Sequence, residues 1–161
     1  MFGIRNINII VQRELKSYLS TPIGYIFASI FLAISNGLSF HFGNFFDRGI
    51  ADLESFFQYH PWLYLLLMPA IAMRLWAEEQ KTGTLELLVT LPISIGEAVI
   101  GKFLAAWVFS GGVLALSFPL WMTVNYLGNP DNGIIVSSYF ASWMMAGSFL
   151  SLSSCASALT N

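Results

Sequence analysis

The chain has 161 residues, 56% hydrophobic and 10% charged, with a formal net charge of −2. Soluble domains carry about 25% charged residues, so an ordinary soluble fold is excluded, and the near-neutral charge offers no basic field for nucleic acid. A single cysteine, Cys155, excludes an internal disulfide framework and any multi-cysteine metal site.

Charge is spaced to leave four gaps. No Asp, Glu, Lys or Arg occurs in 17–46, 55–73, 103–130 or 132–161. A spanning helix needs roughly 20 apolar residues, and a charge at its centre costs about 2.5–3.5 kcal/mol on insertion scales. Each gap holds one crossing and none holds two comfortably. The expected fold is all-α: a polytopic membrane helix bundle of four spans forming a single transmembrane domain.

In chain order, 4–20 reads as an amphipathic helix, with Ile4, Ile7, Val11, Leu15 and Tyr18 on one face and Arg5, Asn8, Gln12 and Lys16 on the other. Such a helix is expected to lie in the cytoplasmic interface of the bilayer. Thr21-Pro22 reads as an N-cap followed by proline at the first helical position, opening span one over 22–43. That span lacks the short basic leader and small-residue cleavage site of a secretory signal, so it reads as a retained helix. Gly24, Ala28, Ser35 and Ser39 give it a face of small residues. A short outer loop, 44–54, leads to span two over 55–75, which Pro69 is expected to bend or break.

The segment 76–97 is the longest charged stretch. Span three follows over 98–127, with Gly111-Gly112 and Pro119 expected to loosen or bend it. A tight turn, 128–133, leads to span four over 134–159, where Gly147, Ser151, Ser154 and Ala158 form a small-residue stripe. That stripe fits packing within one bundle, with a dimer seam as the alternative. Six of the seven cations (Arg5, Arg13, Lys16, Arg74, Lys81 and Lys102, but not Arg48) fall on one side of this topology. The positive-inside rule makes that side cytoplasmic, together with the N-terminus and the 76–97 loop.

The loop has its own internal order. Span two leaves the membrane at Arg74-Leu75-Trp76, a cation and an indole suited to the interface. Glu78-Glu79-Gln80-Lys81 continues the helix, and Thr82-Gly83-Thr84 interrupts it. Thr84 can cap a short helix, LELLVTL, with Glu86 in its first turn. Leu85, Leu88 and Val89 share a face, and Pro92 stops it. Ser94 and Glu97 then form a capping box that launches span three. A simple reversal needs only a few residues, so a loop this long and ordered reads as a docking element for a soluble partner. Its leucines would fill a groove and its carboxylates would pair with basic residues there.

EEQKTGTLELLVTLPISIGEAVIGKF resembles the cytoplasmic signature of ABC-2 type permeases, the membrane subunits of ATP-driven exporters. The matching residues are Glu79, Gly83, Thr84, Leu85, Glu86, Leu87, Leu88, Pro92, Ser94, Glu97, Gly101 and Lys102, with Glu78 beside them. The N-terminal helix, the Thr21-Pro22 entry and the final SALTN resemble the subgroup tied to gliding motility and copper-enzyme maturation. The resemblance implies a coupling helix in this loop, seated on a separate ATP-binding subunit, and a homodimer or heterodimer of permeases in a bacterial inner membrane. It makes Glu79 the candidate for an ion pair that transmits ATP-driven movement. It also implies six spans, so a further segment and two more crossings would be expected beyond Asn161.

The chain carries no phosphate-binding G-x-x-x-x-G-K-[ST] motif, so ATP is expected on the partner and no cofactor on this chain. His41 and His60 flank the outer loop near Asp47 and Asp52, but no pair has metal-ligand spacing, and no metal is expected. No Ser, His and Asp form a catalytic arrangement, so no catalytic residue is assigned. Asn36 and Asn125 are expected to hydrogen-bond between helices. The alternative function is a non-transporting membrane scaffold that recruits a cytoplasmic partner through the same loop.

Overall fold

The computed structural model describes residues 3–43, 49–82 and 94–159, with residues 4, 74–82, 95, 158 and 159 described by their backbone. Among these residues the elements are α1 (Ile4–Ser20), α2 (Pro22–Gly37) with a π-turn at Leu38–Phe42, α3 (Glu54–Phe57), α4 (His60–Thr82), α5 (Ile95–Ala115), α6 (Phe118–Leu127) and α7 (Asn132–Leu159). The described chain contains no strand and is an all-α bundle. Among the described residues three stretches are long and apolar enough to cross a membrane: Pro22–Phe42, Gly96–Leu127 and Asn132–Ser157.

Prolines set several boundaries. Thr21 takes the extended conformation (φ −99°, ψ 144°) that a residue before proline prefers. Its hydroxyl donates backwards to the Ser17 carbonyl at 2.8 Å, so Thr21 closes α1 and makes no side-chain cap on α2. Between α3 and α4 the chain turns at Gln58 and Tyr59, because Pro61 has no N–H to give to the Phe57 carbonyl. The stretch read as a span from 55 is therefore divided there, whereas Pro69 is accommodated inside α4. Pro119 divides α5 from α6 in the same way. Gly111-Gly112 stays helical, and the break falls at Leu116 and Ser117, where the Ser117 hydroxyl donates to the Leu114 carbonyl at 2.7 Å.

Helix faces follow from what they meet. On α2, Gly24, Phe27, Phe31 and Ser35 are buried, while Ile23, Ile26, Ile30 and Ile34 are exposed. A helix apolar on every side, with one face packed and the other turned out, suits a lipid surround. On α1 the pattern is different. Ile10 and Tyr18 are buried, Leu15 packs against the core, and Arg5, Asn8, Gln12, Arg13 and Lys16 are exposed. Most of its described apolar side chains are thus turned to the bundle, and Ile9 and Leu19 stand clear.

Helix α4 lies along α7, α1 along α5, and α2 rests on α4 and α5. Apolar contact alone gives little association in lipid, where close packing and interhelical hydrogen bonds hold a bundle together. Two polar clusters do so here. In the first, Phe56, His60 and Tyr64 recur four residues apart and are all buried. The Tyr64 hydroxyl bonds the Ser142 hydroxyl at 2.8 Å, and Ser142 bonds His60 Nδ1 at 3.0 Å, tying α4 to α7. The imidazole stacks on Phe31 and Tyr64 and meets Phe56 and Phe57 edge to face.

The second cluster is reciprocal. Trp107 Nε1 donates to the Trp143 carbonyl and Trp143 Nε1 to the Trp107 carbonyl, each at 3.0 Å. The rings stack with centroids 4.5 Å apart at 14°. Each indole lies over the glycine four residues past its partner: a Cβ on Gly111 would stand 2.6 Å from Trp143 Nε1, and one on Gly147 would stand 2.8 Å from Trp107 Nε1. A residue at i+4 covers the helical carbonyl of residue i, so glycine there leaves that carbonyl open to a second donor. Of the stripe on span four, Gly147 is therefore bundle packing, while Ser151 is exposed and Ser154 half-buried.

Among the described residues Asn36 bonds within its own helix and not to another. Its amide donates to the Leu32 carbonyl of its own helix at 2.6 Å, which is the nearest acceptor one turn back. Asn125 donates to the Trp121 carbonyl at 2.9 Å and to Asn132 Oδ1 at 3.1 Å, joining α6 to the start of α7. The segments around 51–58 and 130–138 line one cavity of about 620 Å³ at one end of the bundle. Elsewhere, Gly3 and Ser94 both donate to the Glu97 carboxylate.

Candidate coupling site

The site read from the sequence is built on two helices and the segment between them. Helix α4 continues through Thr82, about 10 Å beyond residue 75, so Glu78 and Glu79 lie on its last turns, about 5 Å beyond that residue. Gly83, Thr84, Leu85, Glu86, Leu88 and Pro92 lie outside the described residues, and with them the expected short helix. Ser94, Glu97, Gly101 and Lys102 fall on the N-terminal turns of α5.

The capping box is present in full. The Glu97 amide donates to Ser94 Oγ at 3.3 Å, and the Ser94 amide donates to Glu97 Oε2 at 3.2 Å. Each side chain satisfies a backbone N–H that the helix start leaves without an intrahelical acceptor. The Glu97 carboxylate does more than cap. Its Oε1 accepts the Gly3 amide at 2.5 Å, and its Oε2 accepts Asn6 Nδ2 at 3.3 Å. Ionised carboxylates only accept and have about four lone-pair sites, so one group serves both the start of α5 and the first turn of α1. Glu97 is 4% exposed as a result.

Gly101 explains how α1 comes so near. A Cβ there would lie 2.8 Å from Ile10 Cγ2, so only glycine lets Ile10 rest on the α5 backbone. Further along, Tyr18 stacks on Phe109 with centroids 4.8 Å apart at 15°. From Glu97 to Phe109 the two helices keep company over about 18 Å. Lys102 is 4% exposed on the same stretch. A 32-residue apolar stretch such as Gly96–Leu127 runs to about 48 Å, against a hydrocarbon core of about 30 Å. Its surplus belongs at the end that carries Glu97 and Lys102.

This arrangement can hold helices in register. Among the described residues no three His, Cys, Asp or Glu side chains converge on a common point. His41 is exposed and set edge to face with Phe42, far in environment from the buried His60. The sequence marks Glu97 as a capping-box residue and as part of the permease-like signature, but not its hold on α1. His60, weighed in the sequence only as a metal ligand, is instead a buried packing residue, and its four-residue spacing with Phe56 and Tyr64 is the local signal for that.

The model of the CcmB protein family matches residues 60–160, well over half of the chain. The chain belongs to the CcmB protein family. This is a family of ABC-type permeases, so the chain is the membrane subunit of a transporter and not itself an enzyme. Membership also implies an ATP-binding partner subunit. The CcmB match begins at α4 and takes in every residue of the candidate site, leaving α1 to α3 outside it. No curated protein and no solved structure gave a match.

Proposed function

We propose that this chain is the permease subunit of a heme-exporting ABC transporter, with a 76–102 segment of the ABC-2 type that docks a cytoplasmic ATP-binding subunit. The observation that carries this reading is the family match over 60–160, because CcmB proteins are the membrane component of heme-exporting ABC transporters. The fully formed Ser94–Glu97 capping box supports the docking role, since it fixes where the segment ends and the membrane helix begins. Helix α4 provides the fourth crossing, the N-terminus and docking segment face the cytoplasm, and two permease chains combine with two ATPases in the inner membrane. ATP closes the ATPase pair, and the movement enters the permease through the segment between α4 and α5.

The test is co-expression with a neighbouring ATP-binding gene product, followed by purification in lipid nanodiscs. The expected result is a stable complex whose ATP hydrolysis differs from that of the free ATPase, and which moves heme to the outer face. Failure to copurify would reject the docking role. A stable complex that hydrolyses ATP without moving any cargo would favour a recruiting scaffold instead.

A further inference from the structure

We propose that Glu97 is a positioning residue that latches α1 to the start of α5, so that a push on the 82–94 segment moves the two helices as one piece. The inference rests on the reading of that segment as the ATPase docking element, and it concerns what happens after docking.

The geometry is specific. Ser94 is the first described residue after the docking segment, and its amide and that of Gly3 end on the same carboxylate. A third donor, Asn6 Nδ2, comes from the first turns of α1. A residue needed only to cap α5 would stop at the Ser94 amide. Ile10 on Gly101 and Tyr18 on Phe109 continue the contact, but these apolar contacts allow helices to slide or roll. The Glu97 bonds are directional and fix register at the end where a force would arrive. Helix α1 then feeds through Thr21 into α2, which packs on both α4 and α5. A displacement of the loop thereby reaches α2 by a second route besides α5 itself.

The latch can be cut without touching the carboxylate. Gly3 has φ −82° and ψ 96°, a backbone that proline adopts, so Gly3→Pro removes the amide donor and leaves the chain path intact. Gly3→Ala is the control. It adds a Cβ of the same reach, 3.1 Å from Asn6 Nδ2, but keeps the N–H. In the nanodisc complex with its ATPase, the readouts are cargo moved per ATP hydrolysed and two label distances. One label pair joins Gln12→Cys on α1 to Val108→Cys on α5; the other joins Gln12→Cys to Met73→Cys on α4. All three label positions are exposed.

In the wild-type complex, nucleotide is expected to change the α1–α4 distance and leave the α1–α5 distance constant. Gly3→Pro and Glu97→Ala should lower the coupling ratio about five-fold or more and make the α1–α5 distance vary with nucleotide, while Gly3→Ala behaves as wild type. A merely structural role would lower yield or thermal stability but leave the ratio and the constant distance unchanged, and that result in Gly3→Pro overturns the latch. If nucleotide changes neither distance in the wild-type complex, the docking reading itself fails, and the latch with it.

Discussion

His60 shows how much a single side chain can hold in a bundle surrounded by lipid. Its Nδ1 is committed to Ser142, and Nε2 has no hydrogen-bond partner among the described residues. The ring is enclosed by four aromatic side chains. Ser142→Ala leaves two buried polar groups, Tyr64 Oη and His60 Nδ1, without their shared partner. Its expected cost is about 1–3 kcal/mol, whereas Tyr64→Phe removes a polar atom along with its bond and should cost less. Thermal unfolding in a fixed detergent would rank the two variants, and the reverse order would contradict the hydrogen-bonded chain. The Trp107–Trp143 pair makes a similar prediction. Trp143→Phe deletes one of two equivalent bonds and should cost about 1 kcal/mol, but Gly111→Ala drives a methyl group into the Trp143 ring and should cost more. Neither cluster was legible in the sequence, because each pairs residues 36 or more positions apart. Their local marks were there: W-x-x-x-G occurs at both 107–111 and 143–147.

Among the elements, prolines and charge gaps were the readable signs. The gaps coincide with α2, with α5 and α6 from Phe103 onward, and with α7, because a charge in hydrocarbon is costly enough to be excluded. Pro61 and Pro119 stand at helix breaks, whereas Pro69 is carried inside α4. At Pro119 the carbonyl one turn back would be left open, and the chain instead turns through Ser117, whose hydroxyl also meets Tyr139 Oη at 2.9 Å. Pro119→Ala restores the missing donor and should let α5 and α6 join into one straighter helix. Slower amide exchange across 115–119 would register the joining, and unchanged exchange would mean that the break is imposed by packing. The orientation of α1 was the least legible element. Its apolar spacing was plain, yet periodicity does not say whether an apolar face meets lipid or another helix. Gly101 decides it by opening a seat for Ile10, and nothing local to α1 could reveal that.

For the whole molecule, the sequence motif in 79–102 led to the right superfamily because it combines a rare charged stretch with apolar flanks. The match to CcmB proteins moves the emphasis from the gliding-motility subgroup to a permease of heme-exporting transporters. The proposed role of Glu79 is tested at this scale. Glu79→Ala is expected to leave membrane insertion and complex formation intact while reducing transport per ATP about five-fold or more. Unchanged transport would reject its role in transmission, and loss of the complex would reassign it to docking. Because Glu97→Ala and Glu79→Ala would act at opposite ends of the same segment, their effects should be strongly non-additive if one movement passes through both.

The stacked indoles of Trp107 and Trp143 have an optical consequence. Two such chromophores 4.5 Å apart at 14° couple their electronic transitions, and the coupling depends steeply on separation and angle. They form an intrinsic gauge of the α5–α7 crossing, readable as an exciton signature in circular dichroism without any label. Trp143→Phe supplies the blank. A transport cycle that slides or pivots these helices would modulate the signal in step with ATP, and one that carries them as a rigid pair would leave it unchanged.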